Sequence, residues 1–177
     1  MTDFARLMSD YFVKYLAGQK GSGSNTMKTY RDTFVQLLEF MDEKKHIRAD
    51  CIEVDSFSYD IINEFLEYLE KEKRVSISTR NNRLAAIRSF FKYTGYHEPK
   101  YLNISTSIRE ISKKKTEGRQ MNYLSVNAME HFLNSFDKTD HKELRCFCIV
   151  LLLYESGARV TELCNVRRYD LHLEKPY

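Results

Sequence analysis

The stretch STRNNRLAAIRSFFKYTG, residues 78–95, decides the fold because its polar first half and apolar second half predict different roles. Its apolar residues recur at three- and four-residue steps, which places them on one face of a helix. That face consists of Leu84, Ile87, Phe90 and Phe91. We expect this helix to run from about Thr79 to Thr94, with Gly95 as its C-terminal cap.

The first turns of this helix are polar and basic. They hold Thr79, Arg80, Asn81, Asn82 and Arg83. A helix N-terminus presents free N–H groups and partial positive charge, so this end suits a phosphate backbone. Asn and Arg also read adenine and guanine edges in a major groove. The alternative is that Thr79 and Asn81 only cap the helix while Arg80 and Arg83 are solvated.

Three further helices are predicted upstream of this stretch. The first has apolar residues from Phe4 to Leu16 at helical spacing and ends at Gly18. Ser24 or Asn25 can cap the second, whose inward face runs from Met27 to Met41 and whose opposite face begins with Lys28 and Arg31. Ser58 can cap the third, which has an acidic outward face of Glu64, Glu67 and Glu70 that should point away from any nucleic acid.

Positive charge is concentrated in one part of the chain. Residues 74–119 hold eleven Lys and Arg against three Glu, a net charge of +8 within a chain whose total is +3. The remainder therefore carries −5. A basic stripe on a mildly acidic chain indicates a surface that meets phosphates, although a solvated helix face with a basic linker is the alternative.

Composition favours a helical chain of the reducing cytoplasm. Six Gly and two Pro in 177 residues are few for a many-turned β protein. The four cysteines lack metal-ligand spacing and are expected to be small buried thiols. They are Cys51, Cys146, Cys148 and Cys164. The N-terminus does not read as an export signal and no apolar run reaches membrane-spanning length, so we expect neither export nor membrane contact.

Downstream of a short fifth helix around Ile104–Ile111, residues 113–119 (KKKTEGR) show no apolar periodicity. We expect a basic interdomain linker over 113–122, between a DNA-binding domain of residues 1–112 and a second domain from 123 to 177. Ser125 can cap the first helix of that second domain. The next, from about His141 to Tyr154, is apolar on nearly every face, so it should belong to a larger core and expose an apolar patch without one.

The second half ends in Ser156-Gly157-Ala158-Arg159-Val160-Thr161-Glu162-Leu163 after that apolar helix. This order resembles the start of the catalytic domain of tyrosine recombinases, the integrases of phages and conjugative transposons. Upstream, Ser78 to Leu84 looks like the opening of the last long helix in that family's core-binding domain. The resemblance implies a mainly α chain, a SAM-like helical bundle followed by the helical start of a truncated α+β catalytic domain.

The resemblance also implies a site. Family members cut DNA by attack of a tyrosine hydroxyl on a phosphodiester, with no metal or other cofactor. Arg159 would be the first of two clamp arginines on the non-bridging oxygens, and a fixed donor of this kind contributes about 3–4 kcal/mol. Glu162 could orient Arg159, and Gly157 would let the chain turn sharply. The alternative is a surface salt bridge of Arg159 with Glu155 or Glu162, which contributes little.

The family's later residues, a lysine, a His-x-x-Arg motif and the nucleophilic tyrosine, do not fit into the eighteen residues after Arg159. Tyr169 and Tyr177 lie too close to Arg159 to be that tyrosine. We therefore expect this chain to bind double-stranded DNA without cleaving it, with a homotetramer on DNA only for the complete protein. A non-catalytic regulator that occupies recombination sites is the alternative, whereas the charge block disfavours a helical module that binds only protein.

The residues expected to contact DNA are Lys28, Arg31, Thr79, Arg80, Asn81, Arg83, Lys113, Lys114 and Lys115.

Overall fold

The computed structural model describes residues 2–19, 21–116, 118 and 122–170. The chain divides into two compact units, residues 1–118 and residues 119–177. Within the described residues, every regular element is helical, which confirms the prediction of a mainly helical chain. None of the helices in this part of the chain has both the length and the apolar character needed to cross a membrane.

Among its described residues, the first unit contains five α-helices. They are α1 (Asp3–Asp10), α2 (Ser24–Lys45), α3 (Tyr59–Lys71), α4 (Ile77–His97) and α5 (Leu102–Glu110). A π-helical segment, Tyr11–Gln19, extends α1. Short 3-10 turns at Ala49–Cys51 and Val54–Ser56 connect α2 to α3, and another at Pro99–Tyr101 connects α4 to α5.

The core of the first unit is built around α4. The ring of Phe90 lies 5.6 Å from Phe4, 5.4 Å from Tyr11 and 5.3 Å from Phe34, measured between ring centroids. These edge-on contacts have a geometry that aromatic quadrupoles favour. Phe90 therefore joins the N-terminal helix, α2 and α4 in one core. The predicted inward face of Leu84, Ile87, Phe90 and Phe91 is fully buried, as expected.

Gly95 is not the C-terminal cap of α4, which corrects the sequence prediction. The helix continues to His97, and Gly95 is buried inside it. A Cβ built on Gly95 would lie 2.6 Å from Ser105 Cβ of α5, so the missing side chain allows α4 and α5 to approach closely. The start of α4 also differs, because Ser76 rather than a later residue caps a helix that begins at Ile77.

Other helix ends follow the sequence more closely. The Ser58 hydroxyl accepts a hydrogen bond from the N–H of Ile61, so the predicted cap of α3 is confirmed. The predicted side-chain cap of α2 is wrong, since Gly23 occupies the N-cap position and α2 begins at Ser24. The predicted end of the first helix at Gly18 is one residue short of the end of the π-helical segment.

The second unit contains α6 (Val126–Asn134), α7 (His141–Ser156) and α8 (Val160–Asn165), followed by a 3-10 turn at Arg168–Asp170. Ser125 caps α6 as predicted, accepting a hydrogen bond from Ala128 N–H. None of the residues of α7 is buried, and its Ile149, Leu152 and Tyr154 are exposed. These exposed side chains agree with the apolar patch that the sequence predicts for this unit.

The expectation of buried thiols is wrong. All four cysteines are exposed. Cys146 and Cys148 lie on α7, where no residue is buried, and Cys51 ends a 3-10 turn outside the core.

Candidate nucleic-acid interface

The N-terminus of α4 is capped by side chains at its own start. The Ser76 hydroxyl accepts a hydrogen bond from Thr79 N–H at 3.2 Å and lies 3.0 Å from the Thr79 hydroxyl. Both side chains therefore serve the N-terminal cap. This matches the local alternative for Thr79, in which the residue helps to start the helix.

Arg80 is buried, which corrects the expectation that its side chain lies at the surface. It is only 5% exposed. Its Nη1 donates to the Ser112 carbonyl at 3.2 Å, and its Nε forms an ion pair with Glu70 Oε1 at 3.0 Å. Arg80 lies four residues before the buried Leu84, on the same helix face, so the helical period places it toward the core. A buried guanidinium requires such partners.

Asn81 holds the chain that follows α5. Its Nδ2 donates to the Lys114 carbonyl at 2.8 Å, and its Oδ1 accepts from Lys114 N–H at 3.0 Å. The ammonium of Lys114 in turn donates to Glu70 Oε2 at 2.7 Å. Two residues predicted to contact DNA, Asn81 and Lys114, are thus engaged with each other in this structure.

Arg83 links α4 to α2. Its Nη1 donates to the Thr29 carbonyl at 3.0 Å and to the Thr33 hydroxyl at 3.2 Å. Thr33 is fully buried, so this contact lies at the edge of the core. Arg83 is therefore half-buried between two helices and not a freely solvated charge.

Beyond these residues, two adjoining surface grooves follow α4. Asn25, Thr26, Thr29, Tyr30, Asn82 and Ala85 line the first groove. Tyr15, Tyr30, Ala85, Arg88, Ser89, Lys92, Thr106, Arg109 and Glu110 line the second, which encloses about 690 Å³. Tyr30 and Ala85 belong to both, so the grooves form one continuous surface, which we call the α4 groove. It combines three cationic side chains with one carboxylate and several hydroxyl and amide groups.

Sequence reasoning missed most of the α4 groove. Arg88 and Lys92 lie one helical turn apart on α4, with Arg88 donating through Nε to the Arg109 carbonyl at 2.9 Å. The sequence does contain a signal for this helix face. Ala85, Arg88, Ser89 and Lys92 recur at three- and four-residue steps, which places them together on the side of α4 opposite the core. Pairing that face with α2 and α5 required the tertiary fold.

The remaining predicted contacts are solvent-exposed. Lys28 and Arg31 are exposed on the first turns of α2. The Nε of Arg31 lies 4.0 Å from Oδ1 of Asp32. Lys113, Lys114 and Lys115 are exposed after α5. Their role in binding DNA remains a prediction.

In the second unit, Arg159 follows a sharp turn. Gly157 has a φ of +62° and donates its N–H to the Leu153 carbonyl, which ends α7. The Arg159 side chain is 82% exposed. Arg159 N–H donates to Glu162 Oε2, and Arg159 Nη1 donates to Glu162 Oε1, both at 2.8 Å. These hydrogen bonds, first from the backbone and then from the guanidinium, hold the pKa of Glu162 below its usual value.

Glu162 thus pairs with both the backbone N–H and the guanidinium of Arg159, and this exposed pair is also the salt bridge of the alternative interpretation. An exposed pair of this kind contributes little to stability, because solvent screens it. Tyr169 is exposed in the 3-10 turn after α8, and Tyr177 lies outside the described residues.

Comparison with known proteins places these features in a family. Residues 10–99 match the model of the phage integrase N-terminal SAM-like domain. The chain is 28% identical to a putative integrase/recombinase, y4rD, of Sinorhizobium fredii over 98% of its own length and 62% of that protein. It is 26% identical to the tyrosine recombinase XerC of Staphylococcus aureus over 93% of its own length and 52% of that protein.

In a crystal structure of XerA recombinase, the protein chain has 24% sequence identity to this one and a TM-score of 0.43. The match covers 96% of this chain and 52% of that one. The chain thus spans about half to three-fifths of the length of these relatives. The SAM-like match confirms the fold expected for the first unit. The match covers half of the chain and the relatives extend over nearly all of it, and the chain accordingly belongs to the tyrosine recombinase and integrase family.

Proposed function

We propose that the first unit binds double-stranded DNA through the α4 groove, as the DNA-binding part of a site-specific tyrosine recombinase. The observation that carries the proposal is the composition of this groove. Arg88, Lys92 and Arg109 converge on it with a single carboxylate, Glu110. Lys28 adds an exposed cation on the first turns of α2, near Asn25 of the same groove.

The acidic outward face of α3 supports this choice of surface. Glu64 pairs with Lys45, Glu67 with Lys71, and Glu70 with Arg80 and Lys114. The cations on this face are thereby paired with carboxylates, whereas the lining of the α4 groove has three cations to one carboxylate and would attract a phosphate backbone more strongly. Amide and hydroxyl groups beside the cations, such as Asn82 and Thr26, provide hydrogen bonds to phosphates or base edges.

Fluorescence anisotropy with a labelled 30-base-pair duplex tests this assignment. Lys28→Gln and Lys92→Gln should each weaken binding and reduce the slope of log affinity against log salt by about 0.9, the value for one phosphate contact. Lys71→Gln is the matched control, because it removes the same charge from the α3 face. Equal effects of all three substitutions, or association that does not respond to salt, would refute the α4 groove as the DNA-binding surface.

For the second unit, we propose that Arg159 clamps the scissile phosphate in a complete recombinase, with Glu162 holding it. DNA strand exchange through a phosphotyrosine, a tetramer on DNA, a mobile genetic element as the source and action in the cytoplasm are all part of this proposal for the complete protein. In a recombinase that contains these residues, Arg159→Ala should lower strand cleavage by about 10²–10³-fold. Arg145→Ala, an exposed arginine of α7, is the control. Unchanged cleavage in Arg159→Ala would exclude the clamp.

A further inference from the structure

The polypeptide that leaves α5 runs back across the first turn of α4. There the side chain of Asn81 pairs with both backbone groups of Lys114, with distances of 2.8 Å and 3.0 Å. Two residues earlier, the Ser112 carbonyl accepts from Arg80 at 3.2 Å. One amide that satisfies both the N–H and the C=O of a single residue fixes its position in the same way as a paired strand does.

Glu70 of α3 closes this arrangement from the other side. Its two carboxylate oxygens contact different cations, Arg80 Nε at 3.0 Å and Lys114 Nζ at 2.7 Å. The carboxylate thereby connects three parts of the chain, namely α3, the start of α4 and the segment after α5.

These contacts are more than incidental surface pairing. Arg80 is 5% exposed, and burial of a guanidinium is costly unless charged and polar partners compensate it. The segment it holds, Ser112-Lys113-Lys114, is exposed and offers no apolar side chain to the core. Polar contacts are therefore what attaches this segment to the bundle, and they come from three residues whose side chains converge on it.

We propose that Glu70, Arg80 and Asn81 form a latch that fixes residues 112–114 to the first unit, so that the connection to the second unit starts no earlier than Lys115. Arg80 and Asn81 are positioning residues in this role, independent of whether DNA contacts them. Compared with a linker that starts at residue 113, the latch removes two residues from the connection. At about 3.3–3.6 Å per extended residue, its maximal span is about 7 Å shorter.

Amide hydrogen exchange measured by NMR on the 177-residue chain tests the latch. The Lys114 amide donates to Asn81, so it should be protected in the wild type, and Asn81→Ala should accelerate its exchange about tenfold. The Phe90 amide in the core serves as the internal reference and should remain unchanged. Asn82→Ala is the matched control, because Asn82 is exposed and lines the α4 groove instead.

Asn81→Asp gives a second, milder variant. It retains an acceptor for the Lys114 N–H but replaces the donor to the Lys114 carbonyl with an oxygen, so acceleration should be smaller than in Asn81→Ala. If Asn81→Ala also accelerates exchange of the Phe90 amide, the latch is tested by the exchange rate of the Lys114 amide in Asn81→Asp compared with the wild type. An unprotected Lys114 amide in the wild type, or equal exchange in Asn81→Ala and Asn82→Ala, would overturn the latch.

Discussion

Replacement of Gly95 by alanine should destabilise the first unit, although alanine is the better helix former. The propensity difference alone favours alanine by about 0.5–1 kcal/mol. The new Cβ, however, would lie 2.6 Å from both Cβ and Oγ of Ser105 and 3.7 Å from Leu102 Cα. Carbon atoms in good contact are about 3.5–4.0 Å apart, so the overlap with Ser105 Cβ is about 1 Å.

Rotation of the Ser105 side chain cannot relieve this overlap, because Cβ is fixed to the backbone. The two helices α4 and α5 must separate, and overpacking of this kind costs about 1–3 kcal/mol. Subtraction of the gain in helix propensity leaves about 0–2.5 kcal/mol. Because the overlap of about 1 Å is with a Cβ fixed to the backbone, we expect Gly95→Ala to lie in the upper part of that range and to lower the free energy of unfolding by about 1–2 kcal/mol. Urea unfolding of the 177-residue chain followed by circular dichroism measures the change.

Gly18→Ala is the matched control. Gly18 is also helical, but its added Cβ would meet only the Val13 carbonyl at an ordinary 3.7 Å. We expect it to be neutral or stabilising. Ser105→Gly in the Gly95→Ala background removes the clashing atoms, so a double-mutant cycle should show a favourable coupling of about 1 kcal/mol or more. Gly95→Ala as stable as the wild type, or more so, would show that α4 and α5 do not approach as described.

Two further substitutions test other contacts of the first unit. His46 ends α2 with a φ of 57°, a left-handed conformation, so His46→Gly should raise the free energy of unfolding by about 1 kcal/mol while His46→Ala gives no such gain. Hydrogen bonds from Lys100 and then Tyr101 hold the pKa of Asp3 below its ordinary 3.8. This stabilisation is complete above pH 3.8 and is lost as the pH falls through the lowered pKa. In urea unfolding, the loss of unfolding free energy caused by Asp3→Asn should therefore be constant near neutral pH and become smaller in acid. A loss of unfolding free energy in Asp3→Asn that becomes larger in acid would contradict stabilisation of the Asp3 carboxylate by Lys100 and Tyr101.

Local signals predicted the helix ends that depend only on neighbouring residues. Ser58 and Ser125 cap their helices with their own hydroxyls, as their positions before the apolar patterns predict. Gly95 looked like the same kind of signal because a glycine near the end of an apolar pattern commonly ends a helix. Its actual role is set by Ser105, a residue of another helix, and no pattern within α4 contains that information.

The cations of α4 show the same division between local and tertiary information. Residues 80, 84, 87 and 91 share the core face by helical spacing, which buries Arg80 against Glu70, whereas residues 85, 88, 89 and 92 share the α4 groove. A count of charge by sequence segment treats both sets alike. In the structure one carboxylate, Glu70, pairs with both Arg80 and Lys114 and offsets one of their two charges, and both cations belong to the set that gave residues 74–119 their net charge of +8. At a slope of about 0.9 per phosphate contact, the salt dependence of DNA binding should therefore fall below the value of about 7 that eight contacts would give.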